Sequence, residues 1–191
     1  MKRIALLIFI AGMGIAPAVR AQDHAEVGAF ADYFKLGETN TSFVGLGGRA
    51  AINIHRHVQI EAEMSYDFNQ VFTEGFTDST GTVTTQNSDI KVLHGLFGPK
   101  FQTSGPVRFF VTVKGGFADF RFDPVPASFN GFTSSVSNLR ASNVNAVFYP
   151  GAGVEAFLGP IGFRLEAGDE VVFVNGAHNS WRVSFGPQLR F

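Results

Sequence analysis

The chain has 191 residues, 15 Lys and Arg against 16 Asp and Glu, no cysteine, and 22 each of Phe and Gly. Near-balanced charge without a basic stripe, a Walker loop or zinc-finger spacing argues against nucleic acid as a partner, and the missing cysteines exclude a disulfide-held fold. Abundant Phe and Gly, with no later apolar run approaching 18 residues, exclude a helical membrane protein and favour an all-β one.

The first segment, MKRIALLIFIAGMGIAPAVRA, has a basic start at Lys2 and Arg3, an apolar run over 4–15, and small residues at Ala16, Ala18 and Ala21. This is the pattern of a secretory signal peptide, with cleavage expected after Ala21. The run is short of the roughly 20 residues that a spanning helix needs. Residues 22–191 then form one exported domain.

Eight strand-like segments follow, at 26–35, 43–54, 58–72, 89–102, 107–122, 143–158, 161–174 and 181–191. Most reach the roughly 9 to 11 residues that a tilted strand needs to cross a bilayer. The third alternates most cleanly, with Val58, Ile60, Ala62, Met64, Tyr66 and Phe68 on one face and Gln59, Glu61, Glu63, Ser65, Asp67 and Asn69 on the other. The fifth sets Val107, Phe109, Val111, Val113 and Phe117 against Arg108, Thr112 and Lys114, and the seventh sets Ile161, Phe163 and Leu165 against Gly162, Arg164 and Glu166. The first and fourth have blurred parity.

Connections alternate in length. HRH at 55–57, TSGP at 103–106 and GP at 159–160 are tight, whereas LGETNTS, TEGFTDSTGTVTTQNS, DPVPASFNGFTSSVSNLRAS and NGAHNS are longer and polar. In an up-and-down meander the tight turns share one end with both termini, and short turns opposite long loops are the signature of an outer-membrane barrel.

Alternation alone leaves open which face is inside, since a soluble lipid-binding barrel points its apolar rows inward. Three features favour lipid outside. The polar rows balance Arg49, Lys100, Arg108, Lys114, Arg164, Arg182 and Arg190 against Asp32, Glu61, Glu63, Asp67, Glu155, Glu166 and Glu170, as a charge-filled lumen would. Aromatics (Tyr66, Phe68, Trp181, Phe191) end the apolar rows, where interfacial girdles belong. Finally, the last strand, WRVSFGPQLRF, ends on an in-register aromatic, Phe191. Asp169 on the lipid side calls for a bulge or a strand end nearby, and Pro99, Pro150 and Pro187 within strands call for bulges.

The segments LFGPKF, PVRFFVTVKGGFADF and YPGAGVE, together with that ending, resemble the eight-stranded outer membrane protein β-barrel family of OmpA/OmpX type. The resemblance spans the mature chain. It implies an outer-membrane location, outer-membrane lipid as surroundings, and a terminal row of Trp181, Val183, Phe185, Leu189 and Phe191 read by the barrel assembly machinery. No peptidoglycan-binding domain is expected after the barrel, so the resemblance implies no cell-wall anchoring role.

The residues supply no catalytic, cofactor or metal assignment. Glu61, Glu63 and Asp67 read as lumen charges needing partners. His55 and His57 share a turn without a third ligand nearby in sequence. His178 and Ser180 with Glu170 invite comparison with lipid A-modifying enzymes, but no motif surrounds them. The expected function is a non-enzymatic barrel with a structural or surface-interaction role, its long loops offering an extracellular ligand a surface without requiring one. The alternatives are a narrow pore or lipid A-modifying enzyme, and a soluble periplasmic lipid-binding barrel.

Overall fold

A computed structural model describes residues 24–37, 41–77, 83–123, 144–174 and 176–191, with side chains described at 24–37, 41–68, 90–121, 144–174 and 176–191. The expected signal peptide and the body of the 123–142 loop lie outside the described residues. Eight strands are present: β1 (Ala25–Leu36), β2 (Thr41–His55), β3 (Val58–Thr77), β4 (Val83–Gln102), β5 (Val107–Asp123), β6 (Val144–Leu158), β7 (Ile161–Phe173) and β8 (Ala177–Arg190). Each pairs antiparallel with the next, and β8 returns to β1 from Glu26↔Arg190 to Lys35↔Trp181, closing the barrel. Closure leaves the barrel wall without an edge strand.

The first and last described residues of the barrel meet. The amides of His24 and Ala25 donate to the Phe191 carbonyl at 3.0 and 2.9 Å, and the Phe191 amide donates to Ala25 O at 3.0 Å. The last strand is paired along its length because it completes the ring. The tight turns at Gly105 (φ 122°) and Gly159 (φ 64°) need the left-handed backbone that glycine adopts without strain. These two turns, the β2–β3 turn, His24 and Phe191 define a turn end; the other four connections define a loop end.

Two expectations about the loop end change. β3 runs to Thr77 instead of 72 and β4 starts at Val83 instead of 89, so much of TEGFTDSTGTVTTQNS is a paired hairpin, from Phe72↔Ser88 to Thr77↔Val83. Threonine and valine favour strands whether or not the strand meets lipid, and polarity there signals water, not irregular backbone. A register shift between Asp67 and Gln70 separates the hairpin from the wall below.

The expected bulges at the prolines and at Asp169 are absent. Pro99 keeps its place beside Ile60, while the ladder to β5 lapses between Phe97↔Gly115 and Lys100↔Thr112 without any slip of register. Pro187 pairs with Phe163 and faces a lapse toward β1; Pro150 pairs with Val113 and faces a lapse toward β7. Each proline keeps one neighbour and turns its missing N–H into a local gap. Asp169 lies in the Pro150 gap, half-buried, and its carboxylate accepts the Ser180 amide at 3.1 Å. That hydrogen bond offsets part of the cost of an acid on the outer face.

At four places a Phe and a Gly depend on each other across the wall. Phe30 stands opposite Gly47, Phe117 opposite Gly95, Phe110 opposite Gly153 and Phe157 opposite Gly162. A Cβ on any of these glycines would lie within about 2.5 Å of the partner ring, so glycine makes room for a ring lying flat along the wall.

Every strand points large apolar side chains outward, among them Tyr33, Leu46, Met64, Phe97, Phe109, Phe148, Phe163 and Phe185. Phe109 is 65% exposed and Trp181 66%. A soluble protein does not encircle itself with such a belt, which overturns the soluble-barrel alternative.

Candidate functional site

The lumen is divided. Toward the loop end it is apolar, with Phe34, Leu36, Phe43, Ile90, Val92, Leu96, Phe120, Val147, Tyr149 and Val172 buried together. From the middle to the turn end it is ionic. The expectation of a charge-filled lumen is thus corrected to half of it, because the inward rows of β1 and β4 carry Phe34, Leu36, Ile90, Val92 and Leu96.

The ionic half is one connected chain of alternating sign. Arg108 meets Glu26 at 3.1 Å; Lys100 bridges Glu26 at 3.3 Å and Glu155 at 2.5 Å. Arg164 reaches Glu155 at 3.3 Å, forms a two-pronged pair with Glu61, and touches Glu166 at 2.5 Å. Lys114 lies between Glu61, Glu63 and Glu166 at 2.6, 2.7 and 3.0 Å. Arg182 joins Glu63 (2.8 Å), Asp32 (3.1 Å), Glu170 (3.6 Å) and the Ser65 hydroxyl (2.9 Å). Arg49 completes the band on Glu166 and Ser184, both at 3.0 Å.

Aromatic rings floor this network. The Arg49 guanidinium lies 4.3 Å from the Phe30 ring centre, Arg164 4.2 Å from Phe110, and Lys114 5.4 Å from Tyr149. The glycines that admit flat rings therefore also set the height at which the cations sit. Cation and ring attract where water is excluded.

Carboxylate oxygens of Glu61, Glu63 and Glu166 lie within 4.8 Å of one another, a spacing that would suit a metal ion. The Lys114 ammonium bonds to all three and supplies the positive charge itself.

Arg190 stands at the rim of the network, half-buried, donating from Nε to Gly159 O at 2.9 Å with its guanidinium 4.5 Å from the Phe157 ring centre. Two members escaped the sequence reading. Glu26 is the second residue of β1, ahead of any visible alternation, and His94 sits among apolar residues in β4. His94 Nδ1 lies 2.6 Å from Glu170 and Nε2 2.9 Å from Asp67, while its ring packs edge-on against Phe34. It marks the boundary between the halves.

The other candidates are engaged elsewhere. Ser180 Oγ accepts the Gly37 amide, His178 Nε2 contacts Val174 O at 3.0 Å, and Glu170 serves His94. His57 uses Nδ1 on Gln102 O at 3.0 Å and Nε2 on Arg56 at 2.8 Å. Of the terminal row, Trp181, Val183, Phe185, Leu189 and Phe191 all face outward.

A closed eight-stranded antiparallel wall, apolar outside and ion-paired within, is the architecture of an outer-membrane β-barrel. Solved structures share it. Neisserial surface protein A superposes with a TM-score of 0.60 at 12% identity, over 88% of this chain and 96% of that one. The N-terminal barrel domain of Pseudomonas aeruginosa OprF gives 0.50 at 13%, over 90% and 100%. Yersinia pestis Ail covers 87% of this chain and 97% of its own at 15% identity, with a TM-score of 0.45. No family model and no curated sequence matches the chain.

Proposed function

We propose that the protein is a non-enzymatic outer-membrane barrel with its turn end toward the periplasm and its loop end at the cell surface, where it serves envelope structure or surface interaction. The observation that carries this reading is the doubly filled lumen inside a continuous apolar belt. Buried ion pairs occupy one half and packed aromatic and branched side chains the other, as suits a rigid scaffold better than a conduit. The β3–β4 hairpin, extended beyond the register shift, is the element best placed to meet a surface ligand. Outer-membrane lipid is the partner of the belt, and the barrel assembly machinery is the partner of the terminal row ending at Phe191.

Cell fractionation tests the location: the protein should co-sediment with outer membranes and migrate differently before and after boiling. Recovery in the soluble periplasmic fraction would sink the reading. Reconstituted in planar bilayers it should leave the baseline conductance unchanged, whereas discrete openings would favour the narrow pore. Deacylation of lipid A by the pure protein, lost on His178→Ala, would favour the enzyme.

A further inference from the structure

At the turn end lies a cavity of about 410 Å³ whose lining includes His24, His55, Arg56, Gln102, Ser104 and Arg108. Among the described residues no carboxylate lines it. Deeper in the lumen every cation meets an acid, so this mouth differs from the network above it in sign as well as in position.

Two of its side chains hold unused hydrogen-bonding capacity. Arg56 donates from Nε to His57 Nε2 at 2.8 Å, and its two terminal nitrogens have no partner among the described residues. Gln102 is 6% exposed, and its Oε1 accepts no hydrogen bond. His57 links the two: with Nε2 accepting from Arg56, its Nδ1–H donates to the Gln102 carbonyl at 3.0 Å. Arg108 also borders the mouth, but Glu26 meets its charge at 3.1 Å, so Arg56 supplies the mouth's excess positive charge. Leaving a buried acceptor such as Gln102 Oε1 unmet is costly, which makes a donor-bearing occupant favourable.

We propose that this vestibule binds the C-terminal carboxylate of a peptide. The two carboxylate oxygens match the fork of Arg56, the geometry in which a guanidinium binds most strongly. The first peptide N–H inward from that carboxylate supplies the donor that Gln102 Oε1 lacks, and the Ser104 hydroxyl offers a further hydrogen bond. A bare oxyanion would satisfy Arg56 and leave Gln102 unmet, so the pair selects an acid with a neighbouring N–H. The volume lies at the small end of the roughly 300–1,000 Å³ range of ligand pockets, the scale of a dipeptide. The inference holds whichever compartment the turn end faces.

The test is titration of the whole protein, refolded in detergent micelles, with N-acetyl-Ala-Ala, with its C-terminal amide, with acetate and with inorganic phosphate. The acid should bind saturably, and the amide about tenfold more weakly or worse. Arg56→Gln should weaken the acid by about tenfold, in line with losing one charge-assisted bidentate contact. Gln102→Leu should weaken the peptide severalfold while leaving acetate unchanged, and both variants should keep the folded band that shifts on boiling. Equal binding of acid and amide, wild-type affinity in Arg56→Gln, or phosphate competing as well as the peptide would each overturn the assignment.

Discussion

The two halves of the lumen solve the same filling problem with opposite chemistry. Toward the loop end, Phe34, Phe43, Ile90, Phe120 and Val172 fill space by shape, and each contributes roughly in proportion to what it buries. Toward the turn end, Arg164, Lys114 and Arg182 are each held by several acids, and Glu61, Glu63 and Glu166 each by more than one cation. An apolar core degrades gradually when trimmed. A buried ionic network fails abruptly, because deleting one member leaves others charged, dry and unmatched.

That contrast can be broken or sharpened by substitution, with unfolding in urea followed through the emission of Trp181, the single tryptophan. Lys114→Met should have the largest effect, about 3–5 kcal/mol, since Glu61, Glu63 and Glu166 lose their shared ammonium. A loss under about 1 kcal/mol would show that the network is not a unit. Adding Glu63→Gln to Lys114→Met should recover part of the loss, and a double-mutant cycle reads that coupling directly. In the apolar half, Val172→Thr keeps shape and adds a hydroxyl without an evident partner, costing about 1–3 kcal/mol. Smallest of all is the response to salt. The ion pairs are almost fully buried, so raising NaCl from 0.1 to about 1 M should move the midpoint by less than the Val172→Thr change.

The same contrast explains how far the sequence could be read. Where the lumen is ionic, each strand alternates charge against apolar side chain, and β3, β5 and β7 declare their facing at once: Glu61, Glu63, Arg108, Lys114, Arg164 and Glu166 are all buried inside. Where the lumen is apolar, both faces of a strand are hydrophobic and period two disappears. The blurred parity of β1 and β4 was itself the trace of the apolar half, with Phe34 and Leu36 inside against Tyr33 outside, and Val92 and Leu96 inside against Phe97 outside. His94 was hidden by the same effect. Gln102 and Arg56 could not be singled out, since the capacity each leaves unused depends on the contacts of His57 and on the turn beside it. The prolines misled for another reason: bulges are one remedy for a missing N–H, and this wall uses unslipped gaps instead.

The junction of Ala25 with Phe191 has a use in engineering. Because Ala25 and Phe191 lie hydrogen-bonded side by side, a short linker can join them in a chain begun at Ala25, and the ring can be reopened between Gly159 and Pro160, whose turn is exposed. Such a circular permutant keeps every strand neighbour but ends at Gly159, just past β6. Refolding in detergent should survive the rearrangement, as permutation commonly does at exposed turns. Insertion in living cells should fall sharply if the assembly machinery reads Phe191 as a free terminus, and equal survival in both settings would reduce that residue to a structural role.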